Sequence, residues 1–275
     1  MTIHRLITKN ISIDQVERPD ILYKYRDWSS PYHDTIIKNR QVYLAPPSSF
    51  EDKLDCKNPT RYDLLTDEQI YEKYLHFSKI HNKHFSRQQH RKYARDNSKT
   101  SPFKQKGTVE KWNAETFAEY DTRFGVLCLT SNPKNKAMWT KYANDHTGIC
   151  VGLDPDIVFK YIGGGGIVTY VDELPIILPE PFQSMNEQHI LQVHFKEMKW
   201  NFEEEYRTHK FSYEPFSDQD RTLTLPPTAF KELIFGVHVN NNDREEIIKN
   251  IHEDLSHIKL RQAKELADGI EIIDL

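Results

Sequence analysis

Short apolar and aromatic runs set the pattern at the start of the chain. ILYKYR (21–26) and QVYLAP (41–46) have the β-branched and aromatic enrichment of strands, and a helical turn is expected at Tyr32–Lys38 between them. The following PPSSFEDKLD is punctuated by Pro and Ser and predicts a loop that presents polar side chains. From Thr66 to about Asn97 apolar residues recur at Ile70, Tyr74 and Phe77, the i, i+4, i+7 spacing of one helix face. A Ser-, Lys-, Pro- and Gly-containing linker at 97–107 precedes a second amphipathic helix at Thr108–Tyr120, so 61–122 reads as a helical insertion in one domain spanning 1–275.

Beyond the insertion the pattern turns to fully apolar runs. FGVLCLTS and GICVGLD suit central strands, with the helix of SNPKNKAMWTKYAND between them and Gly148 as the helix-to-strand hinge. Four glycines at 163–166 precede a strand, IVTYVD; they lack the Lys-Ser/Thr of a phosphate loop and predict a flexible turn. A helix at Asn186–Met198, strands over KWNFEEEYRTHKF and ELIFGVHV, and two helices at 243–255 and 259–267 complete the reading. The expected class is α+β: a mixed or antiparallel central sheet of about seven or eight strands with flanking helices.

Composition sharpens this picture. Only 37% of the 275 residues are apolar and no stretch approaches the ~18 apolar residues of a membrane span, so no membrane partner is expected. Aromatic residues, at 12%, supply the bulk of a packed core. The opening MTIHRLITKN has neither an apolar stretch nor a cleavage site of a secretory leader, and Cys56, Cys128 and Cys150 have no metal-type spacing; both features suit a cytoplasmic location. Cys128 and Cys150 lie in strand-like runs and read as packing residues. The formal charge is −4, but Lys79–Lys111 holds ten Lys or Arg against Asp96 and Glu110, a local +8 that leaves −12 on the remainder.

Three polar groups are candidates for chemistry. In an extended strand Glu203, Glu205 and Arg207 would share one face and Phe202 and Tyr206 the other, which suits either a cleft wall or a solvated ion pair. Lys24 and Arg26 end the first strand, with Ser48, Ser49, Asp52 and Asp55 in the loop after the second, where the alternative is ordinary turn and capping chemistry. Met138, Trp139 and Tyr142 share a helical segment with His146 beyond it, a spacing that favours core packing.

Taken in order, LYKYR, VYLAPPSSFEDKLD, LCLTS, MWTKYANDHTG and WNFEEEYR resemble the bacterial family called domain of unknown function 2971, over 21–240 without the insertion. That family usually reads Phe-Asn-Asp-Pro-Phe-Asp in the loop; this chain keeps Phe50, Asp52 and Asp55 and departs at Glu51 and Lys53. A basic residue on the first strand and Glu-x-Glu on a late one is also similar to ADP-ribosyltransferases, which include bacterial toxins and phage-defence effectors. That resemblance implies NAD as substrate. It makes Glu205 the catalytic carboxylate and Glu203 the residue that orients the acceptor. Arg26 and Lys24 would hold NAD, with Tyr43, Ser48 and Ser49 lining the nicotinamide pocket.

The same resemblance gives the basic insertion a role. Lys83, Arg87, Arg91, Lys92 and Arg95 could position RNA or DNA as acceptor, and a toxin of this kind would have a neutralising antitoxin partner. Two other readings stay open on the residues alone. One is a metal-dependent nuclease using Asp52, Asp55, Glu203 and Glu205; the other is a non-enzymatic sensor that binds through its polar strand.

Overall fold

The computed structural model describes residues 18–105 and 107–275. Strand β1 (Leu22–Arg26), helix α1 (Thr35–Lys38) and strand β2 (Gln41–Tyr43) are followed by a 3-10 turn at Pro47–Ser49. Helices α2 (Asp67–His81), α3 (Arg87–Lys99) and α4 (Thr108–Arg123) then precede β3 (Phe124–Thr130), α5 (Lys136–Tyr142), β4 (Ile149–Leu153) and α6 (Pro155–Ile162). Next come β5 (Gly165–Ile167), β6 (Thr169–Val171), α7 (Met185–Val193), β7 (Phe195–Glu197), a 3-10 segment at Met198–Glu203 and β8 (Glu205–Phe211). The chain closes with α8 (Asp218–Arg221), β9 (Thr222–Thr224), β10 (Phe230–Phe235), α9 (Asn241–Lys249), β11 (Lys259–Leu266) and β12 (Gly269–Asp274).

Eight strands form one mixed sheet in the order β12-β11-β10-β4-β1-β3-β8-β5, giving the α+β architecture. Within this sheet, among the described residues, β10 and β11 pair in parallel, as the α9 crossover between them requires, and the other pairs are antiparallel. Strand alternation divides the sheet into two buried faces. Leu22, Leu127, Leu129, Ile149, Val151 and Leu153 point into a core with α1, α6 and α9, whereas Tyr23, Tyr25, Cys150 and Ile234 pack with Met138 and Trp139 of α5 on the other side. Burial on both faces is why FGVLCLT and ICVGL are nearly continuous apolar runs.

The sheet and its helices form one compact unit, comprising, among the described residues, 18–49, 122–172 and 196–275. A second unit comprises Phe50–Asp121 together with Glu173–Phe195, so the helical excursion starts earlier than 61 and recruits a later segment as well. Its own core gathers Leu65, Ile70, Phe103 and Leu178, with Tyr74 stacked on Phe103 at 5.6 Å. Helices α2 and α3 each open with a capping box, Thr66 with Gln69 and Ser86 with Gln89, and these caps break the expected single helix of 66–97 in two. No helix among the described residues is long and apolar enough to cross a membrane.

Two other segments differ from the sequence reading. The expected helix at 259–267 is β11, whose helix-forming residues are overruled by pairing with β10 on one side and β12 on the other. Only Glu205–Phe211 of the expected strand KWNFEEEYRTHKF is a strand; Met198–Glu203 is a 3-10 turn, and Glu204 takes the left-handed conformation at φ 43°.

Candidate functional site

The start of β8 carries a buried charge network. Both Arg207 and Glu205 are on β8 and share a face, as the two-residue period requires. Arg207 Nε donates to Glu205 Oε1 and Arg207 Nη2 to Glu205 Oε2, each at 2.8 Å. Lys196 of β7 donates to Glu203 Oε2 at 2.6 Å and to Glu205 Oε2 at 3.4 Å. Glu203 is off the strand, yet the turn at Glu204 brings it back to the same lysine. The Tyr142 hydroxyl donates to Glu203 Oε1 at 2.6 Å, and the Tyr170 hydroxyl accepts from the Glu205 backbone N–H at 3.0 Å.

All four charged side chains of this network are buried. Two carboxylates face two cations, so the group is neutral and hydrogen-bonded, the arrangement that makes buried charge tolerable. Burial opposes ionisation of Glu205, but Arg207 and Lys196 outweigh it and hold the carboxyl down at about 2. The Tyr142 hydroxyl is pushed up by burial and by Glu203. Lys196 also lies 5.0 Å from the centroid of the Trp200 ring, so its ammonium sits between an aromatic face and the carboxylates.

A different arrangement occurs on β1. β1 pairs with β4 over five residues but with β3 at the single pair Tyr23↔Thr130, while Val126 of β3 bridges to Ala45 instead. The sheet is therefore split between β1 and β3. Lys24 Nζ donates to the Cys128 carbonyl at 2.8 Å across this split. Neither Lys24 nor Arg26 has a carboxylate within ion-pairing distance among the described residues, and Arg26 has no side-chain hydrogen bond there at all.

Burial and the neighbouring Arg26 pull Lys24 down to about 8, with Cys128, Glu205 and Glu203 acting in the opposite direction. Burial pulls Arg26 down to about 10. His33 is lowered by burial and by Arg26, with Lys24 a further contributor, and its Nδ1 is buried without a hydrogen-bond partner. Three nitrogen-bearing side chains thus gather here; Asp27 acts on His33 in the opposite direction, but neither Lys24 nor Arg26 is ion-paired among the described residues, an arrangement that suits an anion.

Tyr23 pairs with Thr130 and Thr130 with Glu205, so these three side chains share one face, and Lys24 and Arg26 alternate to the other. The two groups therefore lie on opposite faces of the sheet, and neither Lys24 nor Arg26 bonds to Glu203 or Glu205. Tyr43, on β2 away from the main sheet, is exposed, as are Ser48 and Ser49; Ser49 Oγ donates to the Pro46 carbonyl at 2.7 Å. Lys83, Arg87, Arg91, Lys92 and Arg95 are exposed on the second unit. Asp52 and Asp55 also belong to that unit; Asp52 caps the Leu54 N–H and Asp55 is buried. Among the described residues no three His, Cys, Asp or Glu side chains gather as a metal site.

Sequence reasoning missed Lys196, Tyr170 and His33. Lys196 stands seven residues before Glu203 in a segment expected to be helical, so no periodicity could reveal it. Tyr142 was visible only as a core residue, which its ring is; the hydroxyl has the second role. Compared with protein-family models, curated proteins and solved structures, the chain matches none.

Proposed function

We propose that this protein is a cytoplasmic ADP-ribosyltransferase-like effector that takes NAD at the split between β1 and β3. The observation that carries the reading is the pair Lys24 and Arg26, partly buried cations without a carboxylate partner among the described residues. A pyrophosphate supplies the missing negative charge, and the planar Arg26 fork suits paired phosphate oxygens. In the reaction the bond between ribose C1′ and nicotinamide nitrogen breaks, nicotinamide leaves with the electron pair, and the acceptor's nucleophile bonds C1′ and loses its proton to water. The oxocarbenium character that develops at the ribose favours an ionised carboxylate nearby, and Glu205 is ionised throughout the working pH range.

One observation favours a second reading, a binding protein without turnover. Both oxygens of Glu205 are held by Arg207, and Glu203 is held by Lys196 and Tyr142, so the carboxylates already have the partners a structural network needs. Labelled NAD separates the two. Transfer predicts that the wild-type protein releases nicotinamide, that Glu205→Gln binds NAD without releasing it, and that Arg26→Ala loses binding. NAD bound by the wild type with no nicotinamide released selects the binding protein. Absence of NAD binding to the wild type overturns both readings.

A further inference from the structure

The exposed face of α3 carries a continuous ridge of positive charge. Arg87, Arg91, Arg95 and Lys99 follow one another at four-residue intervals, with Lys92 beside them, along a helix of 13 residues. At ~100° per residue these five side chains cover an arc of about 140°. All five are exposed, whereas Ala94 on the inner side is fully buried and His90 Nδ1 is 2.8 Å from Ser78 Oγ of α2. The helix is thus anchored by one face and presents the other to solvent.

What separates this ridge from an ordinary solvated surface is its run of four cations at successive turns of one helix with a fifth beside them. Some exposed cations elsewhere are matched to acids, as Lys136 is to Glu265 and Lys231 to Asp154, and others, such as Lys134 and Lys264, stand singly without an ion pair among the described residues. None of the five on α3 has an ion pair among the described residues, and Asp96 is the one acid in the helix. Like charges at i, i+4 destabilise a helix, so Arg87, Arg91, Arg95 and Lys99 burden α3 unless a polyanion neutralises them. The capping box at Ser86 and Gln89 partly offsets that burden.

We infer that the exposed face of α3 docks on duplex DNA, with Arg87, Arg91, Lys92, Arg95 and Lys99 against the phosphates. Charge complementarity selects a polyanion, and shape selects the duplex. An isolated exposed helix face enters the ~12 Å major groove of B-form DNA, whereas the A-form groove of duplex RNA is too narrow and deep for it. The inference uses none of the residues proposed to hold NAD and stands apart from that reading.

The test is fluorescence anisotropy of the intact chain, without NAD, on a short labelled DNA duplex over a series of salt concentrations. With each phosphate contact contributing ~0.9 to the slope of log affinity against log salt, four or five contacts give about −4. Combined Arg87→Gln, Arg91→Gln and Arg95→Gln is expected to make the slope shallower by about 3 and weaken binding at least tenfold at low salt. A control carrying Lys136→Gln, Lys199→Gln and Lys231→Gln has the same change of net charge and is expected to bind as the wild type does. Circular dichroism of all three proteins establishes that α3 is folded. No binding to the duplex at low salt, equal weakening by the control, or tighter binding to matched duplex RNA, single-stranded RNA or an acidic protein overturns the proposal.

Discussion

Arg207 grips Glu205 with both Nε and Nη2, at 2.8 Å each, between two residues of one strand that point to the same face. The pair is buried and Lys196 joins it, so loss of either member leaves charge in a medium that solvates it poorly. Arg207→Ala is therefore expected to destabilise the protein by about 3–5 kcal/mol, read from urea denaturation. Combining it with Glu205→Leu is expected to recover part of that loss, because the orphaned carboxylate is gone. A double variant as unstable as the sum of the single changes contradicts this account.

Acid stability follows from the same contact. The Glu205 carboxyl is held at about 2 in the folded protein against 4.5 for the free side chain. Its contribution is fully present above 4.5 and disappears as pH falls from there through about 2. The wild-type protein is expected to lose stability over that window, and Glu205→Gln to have a flatter profile across it. Denaturation midpoints measured at successive pH values give the comparison.

Ligand binding at β1 carries a pH dependence of opposite origin. Lys24 is charged below about 8 and neutral above it, and a bound phosphate favours the charged form. Affinity for NAD or inorganic pyrophosphate is expected to fall as pH rises through about 8. Lys24→Met is expected to bind more weakly at neutral pH and to lose that fall. Isothermal titration at pH values on either side of 8 measures both effects.

The glycine run has a structural reason that can be tested by one methyl group. A Cβ on Gly165 would lie 2.4 Å from the carbonyl oxygen of Arg207 on the paired strand β8. Gly165→Ala is expected to push β5 from β8 and to destabilise the protein by roughly 1–3 kcal/mol. Hydrogen exchange is expected to show the loss concentrated in β5 and the adjoining part of β8. Unchanged protection there would mean that the sheet edge adapts without penalty.

How much was visible in the chain depends on whether neighbours or distant partners set each element. FGVLCLTS and GICVGLD announced central strands because burial on both faces requires continuous apolar residues. The C-terminal KLRQAKEL did not, because its composition favours helix and only its place between β10 and β12 makes it a strand; Asp268-Gly269, a hairpin turn signal, was the local clue. Glu205 and Arg207 were placed on one face by alternation alone, since both are on a true strand. Glu203 joined them for a reason that alternation does not contain, the left-handed turn at Glu204.

By itself the sequence determined the α+β class, the two-sided central strands, the basic segment and the residue types available for chemistry, because these depend on periodicity and composition within short windows. Tertiary structure decided which of those residues meet. It placed Lys196 between Glu203 and Glu205, split β1 from β3 so that Lys24 reaches the Cys128 carbonyl, and left Arg26 without a carboxylate. Such pairings join positions whose separation along the chain carries no information about their distance in space, and whether a charge is neutralised or left to attract a ligand depends on that distance.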